Sequence, residues 1–178
     1  LAMGTFDDVN AISKIAVNTH LAGAAGTVTG AALTRLLGGK TDIVMMLNGA
    51  LAGLVAITAE PLTPGPITAM LIGSIGATIM YYGTKMLESF GLDDVVGAIP
   101  VHMFAGIFGT LVVPFTNADT NFVTQFIGML SVVAFSFVLS YLVFIAMKTT
   151  IGLRISKEAE KLGTDKAEVG VTAYSIRD

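Results

Sequence analysis

The 178-residue chain has no cysteine and no tryptophan, only two histidines and five prolines, and only 13% charged residues. Without cysteine, disulfides, thiolate metal sites and cysteine nucleophiles are all excluded, and the redox compartment stays unread. Ten basic residues against thirteen acidic ones, a net charge of -3, exclude the basic footprint of a nucleic-acid binder. There is no G-x-S-x-G elbow and no His-x-x-x-His spacing, and neither His20 nor His102 has a carboxylate within its apolar run. A hydrolytic triad, a zinc site and hence an enzymatic role or a cofactor are not expected.

What the chain has in excess is apolar surface: 53% hydrophobic residues and a mean hydropathy of +0.77. That balance predicts an all-α membrane protein, a polytopic helical bundle. Segments 15–37, 43–59, 67–87, 95–115 and 122–147 approach or exceed the ~20 apolar residues that cross a bilayer, so five transmembrane helices are expected. Short breaks separate them: GGKTD, EPLTPGP, ESFGLDD and TNADTN. The chain thus divides into a transmembrane part, 1–147, and a tail, 148–178.

Basic residues orient the spans. Arg35, Lys40 and Lys85, together with Lys148, Arg154, Lys157, Lys161, Lys166 and Arg177 of the tail, fall on one side, which predicts a cytoplasmic C-terminus and an external start. Lys14 is the exception, offset by Asp7 and Asp8. An odd number of spans opening outside, on Leu1 rather than Met, predicts that further spans precede these. Small residues recur at four-residue spacing: Ala22, Gly26 and Gly30; Gly49 and Gly53; Gly73 and Ala77; Ala105 and Gly109. In lipid, where contact rather than hydrophobicity drives helix association, this spacing predicts a tight bundle.

The fourth segment carries His102. Counted from Val95 at ~1.5 Å per residue, the ring would lie ~10 Å inside the apolar layer. An imidazole there is either a neutral packing group bonded to a neighbouring carbonyl or hydroxyl, or the lining of a pore. Ala98, Ala105, Gly106 and Gly109 share its expected face and are small enough to leave a path beside it. Pro100, which has no N–H, frees a carbonyl nearby. His20 reads as a packing, loop or interface residue that needs one polar partner.

Four stretches, IAVNTHLAGAAG at 15–26, LNGALAGLVAITA at 47–59, DDVVGAIPVHMFAGIFGTL at 93–111, and GLRISKEAEKLG at 152–163 with Ala-Tyr at 173–174, stand in an order and spacing that resemble the second half of an ammonium transporter of the Amt/Mep/Rh family. The resemblance implies an eleven-helix fold of two inverted five-helix repeats plus a final helix, assembled as a homotrimer with one pore per subunit. This chain would hold the end of helix six through helix eleven. It also implies that His102 is the second of two pore histidines, the first lying in the preceding half, with Ala98 and Gly106 on the small face beside it. Thr5, in LAMGT, takes the place of the hydroxyl that receives ammonium at the external mouth, and Leu1 falls where an aromatic gate would stand. Met103 and Gly97 depart from the glycine and acidic residue common in the family.

The implied activity is ammonium transport across the cell membrane. Ammonium would be captured outside and deprotonated, and ammonia would cross a histidine-lined hydrophobic pore with or without its proton. The tail, with Lys157-Glu158 and Glu160-Lys161, reads either as a solvated extension or as a subunit contact. The resemblance implies the latter, with Arg154 coupling the tail to the pore and a PII-type regulator as a further partner, although beyond Gly163 the tail departs from the family pattern. An ammonium sensor signalling through its tail is the alternative.

Overall fold

The computed structural model describes residues 4–173; the expected gate position at Leu1, and Tyr174 and Arg177 of the tail, lie outside them. Among the described residues the fold is helical, with no strand. Two compact units divide the chain, one running to Leu130 and one starting at Ser131.

In the first unit, helix α1 (Phe6–Gly38) begins nine residues before the apolar segment that predicted it. A capping box causes this: the Thr5 hydroxyl accepts the Asp8 N–H at 3.2 Å while the Asp8 carboxylate accepts the Thr5 N–H at 3.0 Å, satisfying donors that a helix start leaves open. Gly39, at φ 76°, ends the helix by returning its N–H to the Arg35 carbonyl. Asp42 then caps α2 (Ile43–Thr58), and Pro66 opens α3 (Pro66–Ser89), where its missing N–H costs nothing. The fourth apolar segment is not one regular helix. It comprises a π-helical stretch at Ile99–Phe104, α4 (Ala105–Val112) and a 3₁₀ turn at Val113–Phe115.

α5 (Phe122–Thr150) runs three residues past the expected end of the transmembrane part at Met147. Gly152, at φ 82°, ends it with an N–H bonded to the Met147 carbonyl. In the tail, Ser156 caps the short α6 (Lys157–Leu162), and a π-helical turn follows at Asp165–Val169.

Two of these helices, Pro66–Ser89 and Phe122–Thr150, are long and apolar enough to cross a membrane; α2 and the Ile99–Phe115 stretch are apolar but shorter. At ~1.5 Å per residue, the 16 residues of α2 span ~24 Å, less than a ~30 Å hydrocarbon core.

The core of the first unit combines alanines with a few larger apolar side chains. Ala22, Ala56, Ala69 and Ile72 with Ile57 form one buried cluster, and Ala52, Met80, Val101 and Ala105 another. The glycines let backbones touch: a Cβ at Gly49 would sit 2.6 Å from the Gly26 carbonyl oxygen, and one at Gly73 would sit 2.7 Å from the Ala22 Cα. Close approach of this kind replaces large side chains as the source of contact area.

Polar groups tie the loops at one end. Asn18, fully buried in α1, donates to the carbonyls of Pro61 and Pro64, both at 2.8 Å. The Glu60 carboxylate accepts from Leu62 and Thr63 N–H and, at 3.0 Å, from the Asn117 amide, joining the α2–α3 loop to the turn after α4. Partial burial pushes the Glu60 pKa up, but these donors outweigh it and hold the group below its ordinary value.

Candidate functional site

The turn that carries His102 is braced from three sides. Asp94 caps it, accepting the Ala98 N–H at 2.9 Å and the Ile99 N–H at 2.8 Å with its two carboxylate oxygens. Helical backbone therefore begins at Ala98 rather than at Val95, and as π-helix from Ile99, which places His102 in the first turns instead of ~10 Å along a span. Pro100 has no N–H for the carbonyl four residues back, that of Val96. The Asn48 side chain of α2 takes its place, donating to Val96 O at 3.0 Å. Finally, Pro100 and Phe104 lie against Gly83 of α3, where a Cβ would meet the Pro100 ring at 3.1 Å.

These constraints sort the side chains of the turn. Pro100 and Val101 are buried, whereas His102 and Met103 are exposed on the opposite side. Among the described residues no hydrogen bond engages the His102 ring. Ala98 is exposed like His102, and Gly106 is partly exposed. The other two residues expected on this face do not share it: Ala105 is buried, and Gly109 is buried against Ala56 of α2. The wider π-helical turn has shifted the register. Its signature is the Ala105 N–H, which lies within reach of both the His102 and the Pro100 carbonyls.

The other expected site residues lie apart. Thr5 is exposed at the start of α1, its proton donated to Asp8 Oδ2 at 2.8 Å, so its hydroxyl is first a capping group. The Thr5 hydroxyl, then the Gly4 and Thr5 N–H groups, hold the Asp8 carboxyl below its ordinary value, leaving an anionic patch there. α1 makes no contact with the π-helical stretch. His20 is exposed, and its Nδ1 lies 2.7 Å from the Ala16 carbonyl of its own helix. In the second unit Arg154 is exposed two residues beyond the Gly152 stop, lining a hollow with Ile155, Lys157 and Glu160.

Asn48 and Asp94 were missed as positioning groups. An amide inside LNGALAG and a carboxylate four residues before the helix start were the available signals.

The family model of the Ammonium Transporter Family matches residues 3–174. The chain belongs to the ammonium transporter family. It is 41% identical over 183 residues to Ammonium transporter Amt2 of Archaeoglobus fulgidus, a match covering 92% of this chain and 39% of that protein. It is 34% identical to Ammonium transporter Amt1 of Haloferax mediterranei, covering 92% of this chain and 33% of the relative. Among solved structures, one titled Sensor Amt Protein superposes with a TM-score of 0.82 at 29% identity, over 88% of this chain and 42% of that one. The chain thus spans about two fifths of the length of the first of these relatives. Membership makes it part of a membrane protein.

Proposed function

We propose that this chain forms part of the wall of a membrane pathway for ammonium and ammonia, with His102 as the imidazole that lines it. One arrangement supports this reading most: an exposed imidazole with open ring nitrogens, held on a braced turn beside Ala98 and Gly106. A packing histidine would be bonded to a neighbour; this one offers its hydrogen-bonding atoms to whatever passes. In the proposed fold the five apolar segments are five crossings, the second repeat and final helix of an eleven-helix, inverted-repeat transporter, and the first repeat supplies a second histidine to the same path.

The chemistry follows from charge. A bare cation is costly in an apolar lumen, whereas neutral ammonia is not. Ammonium is received at the external mouth, where the Thr5 oxygen and the anionic Asp8 beside it attract a cation. It then loses a proton, and ammonia passes His102, which donates or accepts according to its tautomer. Arg154, presented just after the Gly152 stop, couples the cytoplasmic tail to the pore through a neighbouring subunit of a homotrimer, and a PII-type regulator docks on that face.

The test is uptake in membranes by the intact protein. His102→Ala should change methylammonium flux or ammonium-over-potassium selectivity by about tenfold, the size of one lost polar contact of ~1.4 kcal/mol. Unaltered flux and selectivity at equal surface abundance would remove His102 from the path. In the same assay Arg154→Ala should lower flux while trimer abundance stays constant; loss of the trimer instead would make the tail an assembly element. A second reading, an ammonium sensor, draws on the likeness to the structure titled Sensor Amt Protein. It predicts slight flux with tail-dependent signalling, and robust flux from a chain ending at Thr150 would count against it.

A further inference from the structure

At the opposite end from the Glu60 loops, the α1–α2 turn and the last turns of α3 enclose a hollow of about 330 Å³. Lys40 and Thr41 line it from the turn, Thr34 and Asp42 from the ends of α1 and α2, and Tyr81 and Lys85 from α3. Its polar groups are unevenly committed. The Thr34 hydroxyl is spent on the Gly30 carbonyl and the Asp42 N–H, and Asp42 Oδ1 on the Met45 N–H. Lys40 and Lys85 make no ion pair among the described residues; the Lys85 ammonium rests 5.1 Å over the Tyr81 ring.

Tyr81 is the informative residue. It is only 3% exposed, yet among the described residues its hydroxyl has no hydrogen-bond partner. The Tyr81 hydroxyl is not sealed from water, since among the described residues the unpaired side-chain atom buried from solvent is Asn18 Oδ1; an accessible, unpaired hydroxyl on a ring that lines a hollow is fitted to bond what enters it. Two ammonium groups and two hydroxyls, from Tyr81 and Thr41, against a single carboxylate already used as a helix cap, make a net cationic, donor-rich hollow. Carboxylate ligands are planar and need a fork; a tetrahedral oxyanion suits separate point donors such as lysines and hydroxyls.

We propose that this hollow binds a phosphate group, presented by an anionic phospholipid or by free phosphate, between Lys40, Lys85 and the Tyr81 hydroxyl. The site is independent of the His102 pathway. Three named donors account for its affinity. Lys85 is held ready by its contact with the Tyr81 ring, so one substitution at Tyr81 can separate hydroxyl from ring: phenylalanine keeps the face that the ammonium rests on and removes only the donor.

The experiment titrates the purified protein in uncharged detergent with dioleoylphosphatidylglycerol, with dioleoylglycerol, which lacks the phosphate, and with radiolabelled inorganic phosphate. Native mass spectrometry counts bound lipid, and equilibrium dialysis measures the free anion. Lys40→Gln with Lys85→Gln should weaken phosphatidylglycerol binding about tenfold, and Tyr81→Phe about threefold. Arg at both lysine positions should retain binding, and dioleoylglycerol binding should not respond to any of these changes. Losses confined to phosphatidylglycerol assign the site to lipid, and parallel losses for inorganic phosphate assign it to the free anion. If correctly folded variants, judged by an unchanged thermal midpoint, bind both phosphate probes as the unmodified protein does, the proposal fails. It fails equally if Lys157→Gln with Lys161→Gln weakens phosphatidylglycerol as much, because bulk charge would then explain the attraction.

Discussion

Gly73→Ala should cost about 3 kcal/mol of stability, the upper range for overpacking, although it adds one methyl group to a helix that would intrinsically favour alanine. The new Cβ would fall 2.7 Å from the Cα and carbonyl carbon of Ala22, and both are backbone atoms that no rotamer change can move. Relief requires α1 and α3 to separate. Ala22 is also where α2 approaches, through Gly53, so the separation would open the Ala22–Ala56–Ile57–Ala69–Ile72 cluster as well. Gly128→Ala is the matched control, since nothing lies within 4 Å of its Cβ position, and it should be neutral or stabilising by up to ~1 kcal/mol. Denaturant titrations of both variants in detergent decide the matter. Equal stability for Gly73→Ala and the unmodified protein would mean that these backbones do not meet as described.

That close packing was legible in the sequence because small-residue spacing is periodic, and Gly26, Gly30, Gly49, Gly53, Gly73 and Gly109 each face a backbone of a neighbouring helix. Element ends were legible where chemistry announces them, at Asp42, Pro66 and Gly39. The start of α1 was not, because hydropathy marks an apolar stretch and helix formation marks capped backbone; Asp7, Asp8 and Lys14 are polar yet helical. The fourth segment shows the deeper limit. Its apolar run predicted one continuous span, and its face was assigned at 3.6 residues per turn from Val95. Pro100 and Gly97, the latter at φ 72°, instead delay the helix and widen its first turns, which moves Ala105 and Gly109 to the packed side. Local pattern supplied the residues near His102, but Asn48, a side chain 48 positions before Val96, completes the turn that aims it. Thr5 shows the converse: a hydroxyl placed by resemblance at an external mouth has a local capping partner three residues on.

Loss of the Asp94 carboxylate should disturb His102 more than its distance along the chain suggests. Asp94 is the one side chain that accepts both the Ala98 and the Ile99 N–H groups, at 2.9 and 2.8 Å, and charge-assisted caps of this kind contribute ~1–2 kcal/mol. Asp94→Ala leaves those donors unmet and loosens the Val95–Gly97 turn, whose remaining ties are the Asn48 bond to Val96 O and the backbone bonds of Gly97 to Asp94 O and Val101 N. The turn's left-handed glycine makes the loss worse, since Gly97, at φ 72°, has more conformational freedom to regain than any other residue type once the turn loosens. Stability should therefore fall by ~1–2 kcal/mol for Asp94→Ala, and by less than the sum of the single losses when Asn48→Ala is added, because each bond orders the turn for the other and either single loss already weakens both. If His102 lines the conduction path, flux should fall with the loss of its bearing even at temperatures where the protein stays folded, and Asp94→Asn, which keeps one acceptor, should recover part of both quantities. Strict additivity of the two stability losses would show that cap and clasp act separately. A normal flux in the folded double variant would show that the bearing of His102 is set by Pro100 and Phe104 against Gly83 alone.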